Sequence, residues 1–153
     1  MKPPKEPETA DEAGALFVRT FLRRERRDRL LYELSNPKKR YRALDRFCHG
    51  AEELIDPAKI TLRLRDKRFE TWEAFLRFAA KRPKAELCRV LSPDPALDGL
   101  LLPLSEAAAL AALGCDAAII VGPGAEFAVV FGEAMKGGRG KYFLTKDGTL
   151  PPP

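Results

Sequence analysis

Hydrophobic positions recur at helical spacing in several stretches of the chain and alternate with polar ones in others. Phe17, Phe21, Leu31 and Leu34 lie on one stripe, which predicts a first helix from near Asp11 to about Leu34. Residues 23–29, RRERRDR, interrupt that stripe with seven consecutive charged side chains. Glu25 precedes Arg29 by four residues, the favourable order for an ion pair along a helix. Ser35-Asn36-Pro37 reads as a stop and restart, because Ser or Asn caps a helix and Pro suits its first turn. A second helix then carries Tyr41, Leu44, Phe47 and Cys48 on one face and Lys38, Lys39, Arg42 and Arg46 on the other, ending near Gly50 or Asp56-Pro57.

Beyond residue 58 the pattern changes. Ile60, Leu62 and Leu64 alternate with Thr61, Arg63 and Arg65, a half-buried strand. Trp72, Phe75, Leu76 and Ala79 predict a helix closed by Pro83, and residues 86–91 a second strand. The segment SPDPALDGLLLPL, 92–104, reads as a Pro-braced loop. A helix follows from Ser105-Glu106 to Gly114. A strand over 117–121 then turns at Gly122-Pro123-Gly124 into a partner over 127–131. Residues 133–140 read as a glycine-rich loop and 142–145 as a last strand. The order is α-α-β-α-β-α-β-β-β. It predicts an α+β fold in which a helical pair precedes a mostly antiparallel five-strand sheet with helices packed on one face. Residues 11–147 form one domain on this reading, flanked by a flexible tail over 1–10 and a Pro-rich tail over 148–153.

Composition narrows the class without changing that picture. With 153 residues, 45% of them hydrophobic, the chain is long enough to bury a core without metal or disulfide. Cys48, Cys88 and Cys115 are odd in number and include no Cys-x-x-Cys pair. No apolar segment marks the N-terminus as a secretion signal, so a cytoplasmic location is expected. Residues 107–125 contain one charge, Asp116, and are long enough to span a bilayer. They are mostly alanine, however, and contain Gly and Pro, so a soluble helix, turn and strand are expected and no membrane partner.

Charge is unevenly placed. The net charge is +5, yet residues 19–46 hold eleven basic and four acidic side chains, so the remainder is slightly acidic. Such asymmetry is the footprint of an anionic partner. Arg23, Arg24, Arg27, Lys38, Lys39 and Arg40 are the expected anion- or partner-binding residues, and Tyr32 and Tyr41 are the aromatics nearest them. A solvated helix surface, partly neutralised by Glu25, Asp28, Glu33 and Asp45, is the competing explanation.

Other candidates are sparser. His49 is the single histidine, and Asp45 lies one helical turn before it, the spacing at which a carboxylate orients an imidazole. Asp94 and Asp98 sit in the Pro-braced loop, though Asp98-Gly99 is first of all a turn signal. Gly137-Gly138-Arg139-Gly140-Lys141 has amides and cations suited to an anion, but it lacks the P-loop pattern. Phe69, Trp72, Phe75 and Phe78 lie at core spacing. Neither a cofactor nor a metal is expected, because three scattered cysteines and one histidine do not make a ligand set.

The expected function is a non-enzymatic binding or regulatory module. Its basic helical arm engages an acidic protein, as in a toxin-neutralising or accessory role, or nucleic acid. The alternative is a small enzyme using His49 and Asp45, with Asp98, beside a basic anion pocket. A third reading is an oligomerisation domain packed through the alanine-rich helix 105–113.

Overall fold

The expected first helix is two helices. α1 spans Ala10–Phe21 and α2 spans Arg24–Ser35. Thr9 caps α1 by accepting the Glu12 N–H. At the break, Leu22 is extended and fully buried, and it forms an antiparallel bridge with Ile55. The Arg23 N–H donates to the Leu54 carbonyl and the Asp56 N–H to the Phe21 carbonyl. The break therefore ties the end of α1 to the end of α3, Arg40–Leu54, which bends at Gly50.

A computed structural model describes residues 9–63, 69–114, 117–135 and 138–149. The outer parts of both expected tails, with Leu64, Arg65, Cys115, Asp116 and Gly137, lie outside those residues, as do the side chains of Cys48, Phe69 and Trp72. After α3 come β1 (Ile60–Arg63), α4 (Phe69–Lys81), β2 (Cys88–Leu91), β3 (Leu101–Leu102), α5 (Leu104–Leu113), β4 (Ala118–Val121), β5 (Phe127–Met135) and β6 (Gly138–Thr145). The strands form one antiparallel sheet in the order β1-β6-β5-β4-β2-β3.

The α+β class and the antiparallel sheet stand as expected, with two corrections. There are six strands, because Leu101–Leu102 in the Pro-braced loop pairs with Cys88 and Arg89. Helices also cover both faces of the sheet. Leu91, Ile119, Val121, Ala128, Val130, Tyr142 and Leu144 pack in one core with Phe17, Phe21, Leu30, Leu34, Leu44 and Phe47 of α1–α3. Val90, Ala118, Ile120, Phe127, Val129, Phe131 and Phe143 pack in a second core with Phe75 and Ala79 of α4 and Leu104, Ala107, Ala108 and Ala111 of α5. Successive side chains of a strand point to opposite faces, so β4, buried at all four positions, must be covered twice.

The β4–β5 hairpin forms in the expected place, with Ala118 opposite Phe131 and Val121 opposite Ala128. The Gly122 N–H closes the turn on the Phe127 carbonyl at 2.9 Å. A Cβ at Gly122 would stand 2.6 Å from the Phe127 ring, so this glycine is required by close approach. The expected glycine-rich loop is largely strand, since β5 runs to Met135 and β6 starts at Gly138. At the C-terminal end, the Thr149 N–H donates to Asp147 and its carbonyl accepts from Thr145 Oγ1, an ordered turn where a tail is expected. Among the described residues no helix is long and apolar enough to cross a membrane.

Candidate functional site

Helices α2 and α3 pack together and carry seven of the eleven basic side chains of residues 19–46. Local chemistry decides which of these cations remain open. Arg27 Nε donates to the Leu22 carbonyl at 3.0 Å, and Arg23 Nη2 to the Glu52 carbonyl at 3.3 Å. Both acceptors lie where a helix ends and its last carbonyls lack intrahelical donors, and a cation is favourable at that end. Arg23 and Arg27 thus brace the helix ends around the Leu22 break.

Arg29 departs from the expected pairing with Glu25. Its Nε donates to Glu33 Oε1 at 2.8 Å, and Arg46 Nη2 of α3 reaches the same oxygen at 3.1 Å. The Glu33 side chain is 7% exposed, and its Oε2 has no hydrogen-bond partner among the described residues. One buried carboxylate therefore joins two arginines across the helical pair. Glu33 lies at the apolar spacing of Leu30 and Leu34, and a carboxylate on an apolar stripe is the sequence signal for such a pair.

Arg40 is also engaged. Its Nη2 donates to Asp98 Oδ1 at 2.8 Å and its Nε to Oδ2 at 3.3 Å. Asp98 Oδ1 also accepts the Ser92 N–H at 3.1 Å, and Ser92 Oγ donates to the buried Ala117 carbonyl at 2.7 Å. Asp94 stays within its own loop, where it accepts the Ala96 N–H. The Pro-braced loop is thus fastened to the start of α3. Two residues expected at different sites, Arg40 for an anion and Asp98 for acid–base work, are each other's partners.

The expected capping at the restart of the helix takes a different form. Asn36 Oδ1 accepts the Lys38 N–H within the turn, and the residue preceding α3, Lys39, makes no side-chain cap. Around this turn the surface is open. Lys38, Lys39 and Arg42 are exposed, and Lys38 and Arg42 make no ion pair or side-chain hydrogen bond among the described residues. Lys39 Nζ lies 4.9 Å from the centre of the Tyr32 ring, a cation–π contact. Tyr32 and Tyr41 are 57% and 60% exposed, far above the usual burial of so large an aromatic. Arg24 is exposed at the other end of α2.

A groove of about 730 Å³ is lined by Glu25, Arg26, Arg29, Leu30, Asp45, Arg46, Gly50, Glu53 and Leu54. Asp45 therefore faces a concavity. His49 lies on α3, and its side chain is outside the described residues, so its pairing with Asp45 is outside them too. No group of three metal-ligating side chains occurs among the described residues. Cys88 is buried, and burial pushes its thiol up to about 12, with Glu86 adding to the shift and Arg82 opposing it. A thiol so held is protonated near neutral pH and is a poor nucleophile. Of the glycine-rich segment, Lys141 is described, and its Nζ lies 5.9 Å from the Phe131 ring centre.

No family model matches the chain, and no curated protein and no solved structure is significantly similar to it.

Proposed function

We propose that the chain is a non-enzymatic binding module that docks an acidic segment of a partner protein on the turn between α2 and α3. The exposed cluster of Lys38, Lys39 and Arg42 beside the open rings of Tyr32 and Tyr41 carries this reading. Tyrosine and arginine are the residue types enriched where protein partners bind, and the cations supply complementarity to carboxylates. Intramolecular partners engage Arg23, Arg27, Arg29, Arg40 and Arg46, which leaves a smaller basic footprint than the composition implies.

That reduction also favours protein over nucleic acid. Three phosphate contacts to a single strand correspond to a salt slope of only about −2, too shallow for tight backbone-driven binding. Single-stranded nucleic acid is the second reading, because Tyr41 offers an open ring for a base to stack on.

The test is binding of a labelled oligoglutamate peptide and a labelled single-stranded RNA across a salt series. The full chain is compared with a variant carrying Lys38→Glu, Lys39→Glu and Arg42→Glu. Peptide binding at low salt that is lost in the variant supports the proposal. Peptide binding that survives charge reversal, or no peptide binding at low salt, overturns it. RNA binding stronger than peptide binding and lost in the same variant transfers the surface to the second reading.

A further inference from the structure

We propose that the groove between α2 and α3 binds a small zwitterion, an amino acid or short peptide bearing both a carboxylate and a cationic group. The groove is lined by three arginines, Arg26, Arg29 and Arg46, and three carboxylates, Glu25, Asp45 and Glu53. The lining carries both signs, and Glu33 behind it already pairs with two of the arginines, so a ligand with both charges suits the groove better than a bare anion. Leu30 and Leu54 add apolar surface for the ligand's carbon frame. A volume near 730 Å³ falls within the range of small-molecule sites.

Two of the arginines are held in place. Glu33 Oε1 takes Arg29 through Nε and Arg46 through Nη2, which leaves further N–H donors on each guanidinium. A buried carboxylate thereby orients two cations at the groove wall before any ligand arrives, which lowers the cost of binding. Arg26, Glu25 and Glu53 form no ion pair among the described residues, although all three line the same groove. A ligand carboxylate on Arg26 and a ligand ammonium or guanidinium on Glu25 or Glu53 would complete them.

Gly50 keeps the space open. A Cβ built there meets only Glu53 Oε2, at 3.8 Å, and Glu53 is itself a wall of the groove. The backbone bends at this glycine, with φ −148° and ψ 33°. A larger side chain at position 50 would enter the groove without removing any charged group.

The experiment is calorimetric titration of the full chain with a glutamyl-arginine dipeptide, with acetate and methylguanidinium as separated halves. The dipeptide is expected to bind at least about tenfold more tightly than either half. Gly50→Leu should abolish that binding, and circular dichroism checks that the helices are retained. Arg26→Ala, which removes an exposed and unpaired side chain, should weaken binding about tenfold, the size of one charge-assisted hydrogen bond. The variant reversing charge at Lys38, Lys39 and Arg42 should bind the dipeptide as the unmodified chain does, which separates this site from the proposed docking surface.

Equal binding of the dipeptide and its halves overturns the proposal. So does dipeptide binding retained in a folded Gly50→Leu protein, or no binding up to about 10 mM. Should Gly50→Leu fail to fold, Arg26→Ala decides, and unchanged affinity there overturns it.

Discussion

Arg40 and Asp98 are 58 residues apart in sequence and meet through two hydrogen bonds, one of 2.8 Å and one of 3.3 Å. The pair fastens the Pro-braced loop to the first turn of α3. Arg40 Nη1 is buried without a hydrogen-bond partner among the described residues, and the nearest ion-pair contact is Asp11 Oδ1 at 3.9 Å. Arg40 thus depends on Asp98. Asp98→Ala should cost about 2 kcal/mol in urea unfolding, because a largely buried guanidinium loses its counter-charge. Arg40→Met in the Asp98→Ala background should recover part of that loss. A double-mutant cycle with no coupling between the two positions would contradict the pairing.

Neighbouring cations should behave in the opposite way. Lys38, Lys39 and Arg42 are exposed, so changing all three to alanine should alter unfolding free energy by less than about 1 kcal/mol. Arg40→Ala should cost more than all three together. Melting temperatures of the two variants check this, and equal shifts would mean that the open surface is also part of the fold.

Gly122 closes the β4–β5 hairpin where a Cβ would stand 2.6 Å from the Phe127 ring. Phe127 is buried and packs 5.3 Å, centre to centre, from Phe78, so it has little room to yield. Gly122→Ala should destabilise the protein by about 1–3 kcal/mol, the range for forced overpacking. Gly124, with φ near +62° and nothing within 4 Å of its Cβ position, should cost about 1 kcal/mol on the same change, from backbone strain alone.

Cys88 gives a pH prediction. Burial raises its thiol from an ordinary value near 9 to about 12. The unfolded chain therefore releases this proton first as pH rises. The stability held by the protonated thiol is fully present below about pH 9 and falls between there and about pH 12, by up to about 1.4 kcal/mol per pH unit. Urea unfolding at pH 8, 9 and 10 should show this slope, and Cys88→Ala should flatten it. At pH 8, mass-mapped alkylation should leave Cys88 unmodified until urea unfolds the chain.

Much of the fold is written in local pattern. Phe17 and Phe21, Leu44 and Phe47, and Phe75 and Ala79 mark buried helix stripes at 3.6-residue spacing. Gly122-Pro123-Gly124 marks a hairpin, because only certain residues take its geometry without cost. The burial of the sheet on both faces also has a local signal, which the expectation of helices on one face passes over. Residues 117–121 and 127–131 are unbroken apolar runs, and a strand with one face in water alternates instead.

What the chain order cannot express is which distant groups meet. The break at Leu22 exists because Ile55 and Leu54, more than 30 residues later, supply its bridge and its carbonyl. Read alone, residues 11–34 continue as one helix, since no proline or glycine stands at the break. Charge composition locates the basic arm on α2 and α3, but it does not say which arginines are engaged. That depends on Glu33 lying between two helices, on Asp98 reaching α3 from a loop, and on helix-end carbonyls turning toward Arg23 and Arg27. Helical spacing and turn chemistry act over a few residues and are carried by the sequence itself. Ion pairing and the groove between α2 and α3 act across space, and only the packed fold brings their members together.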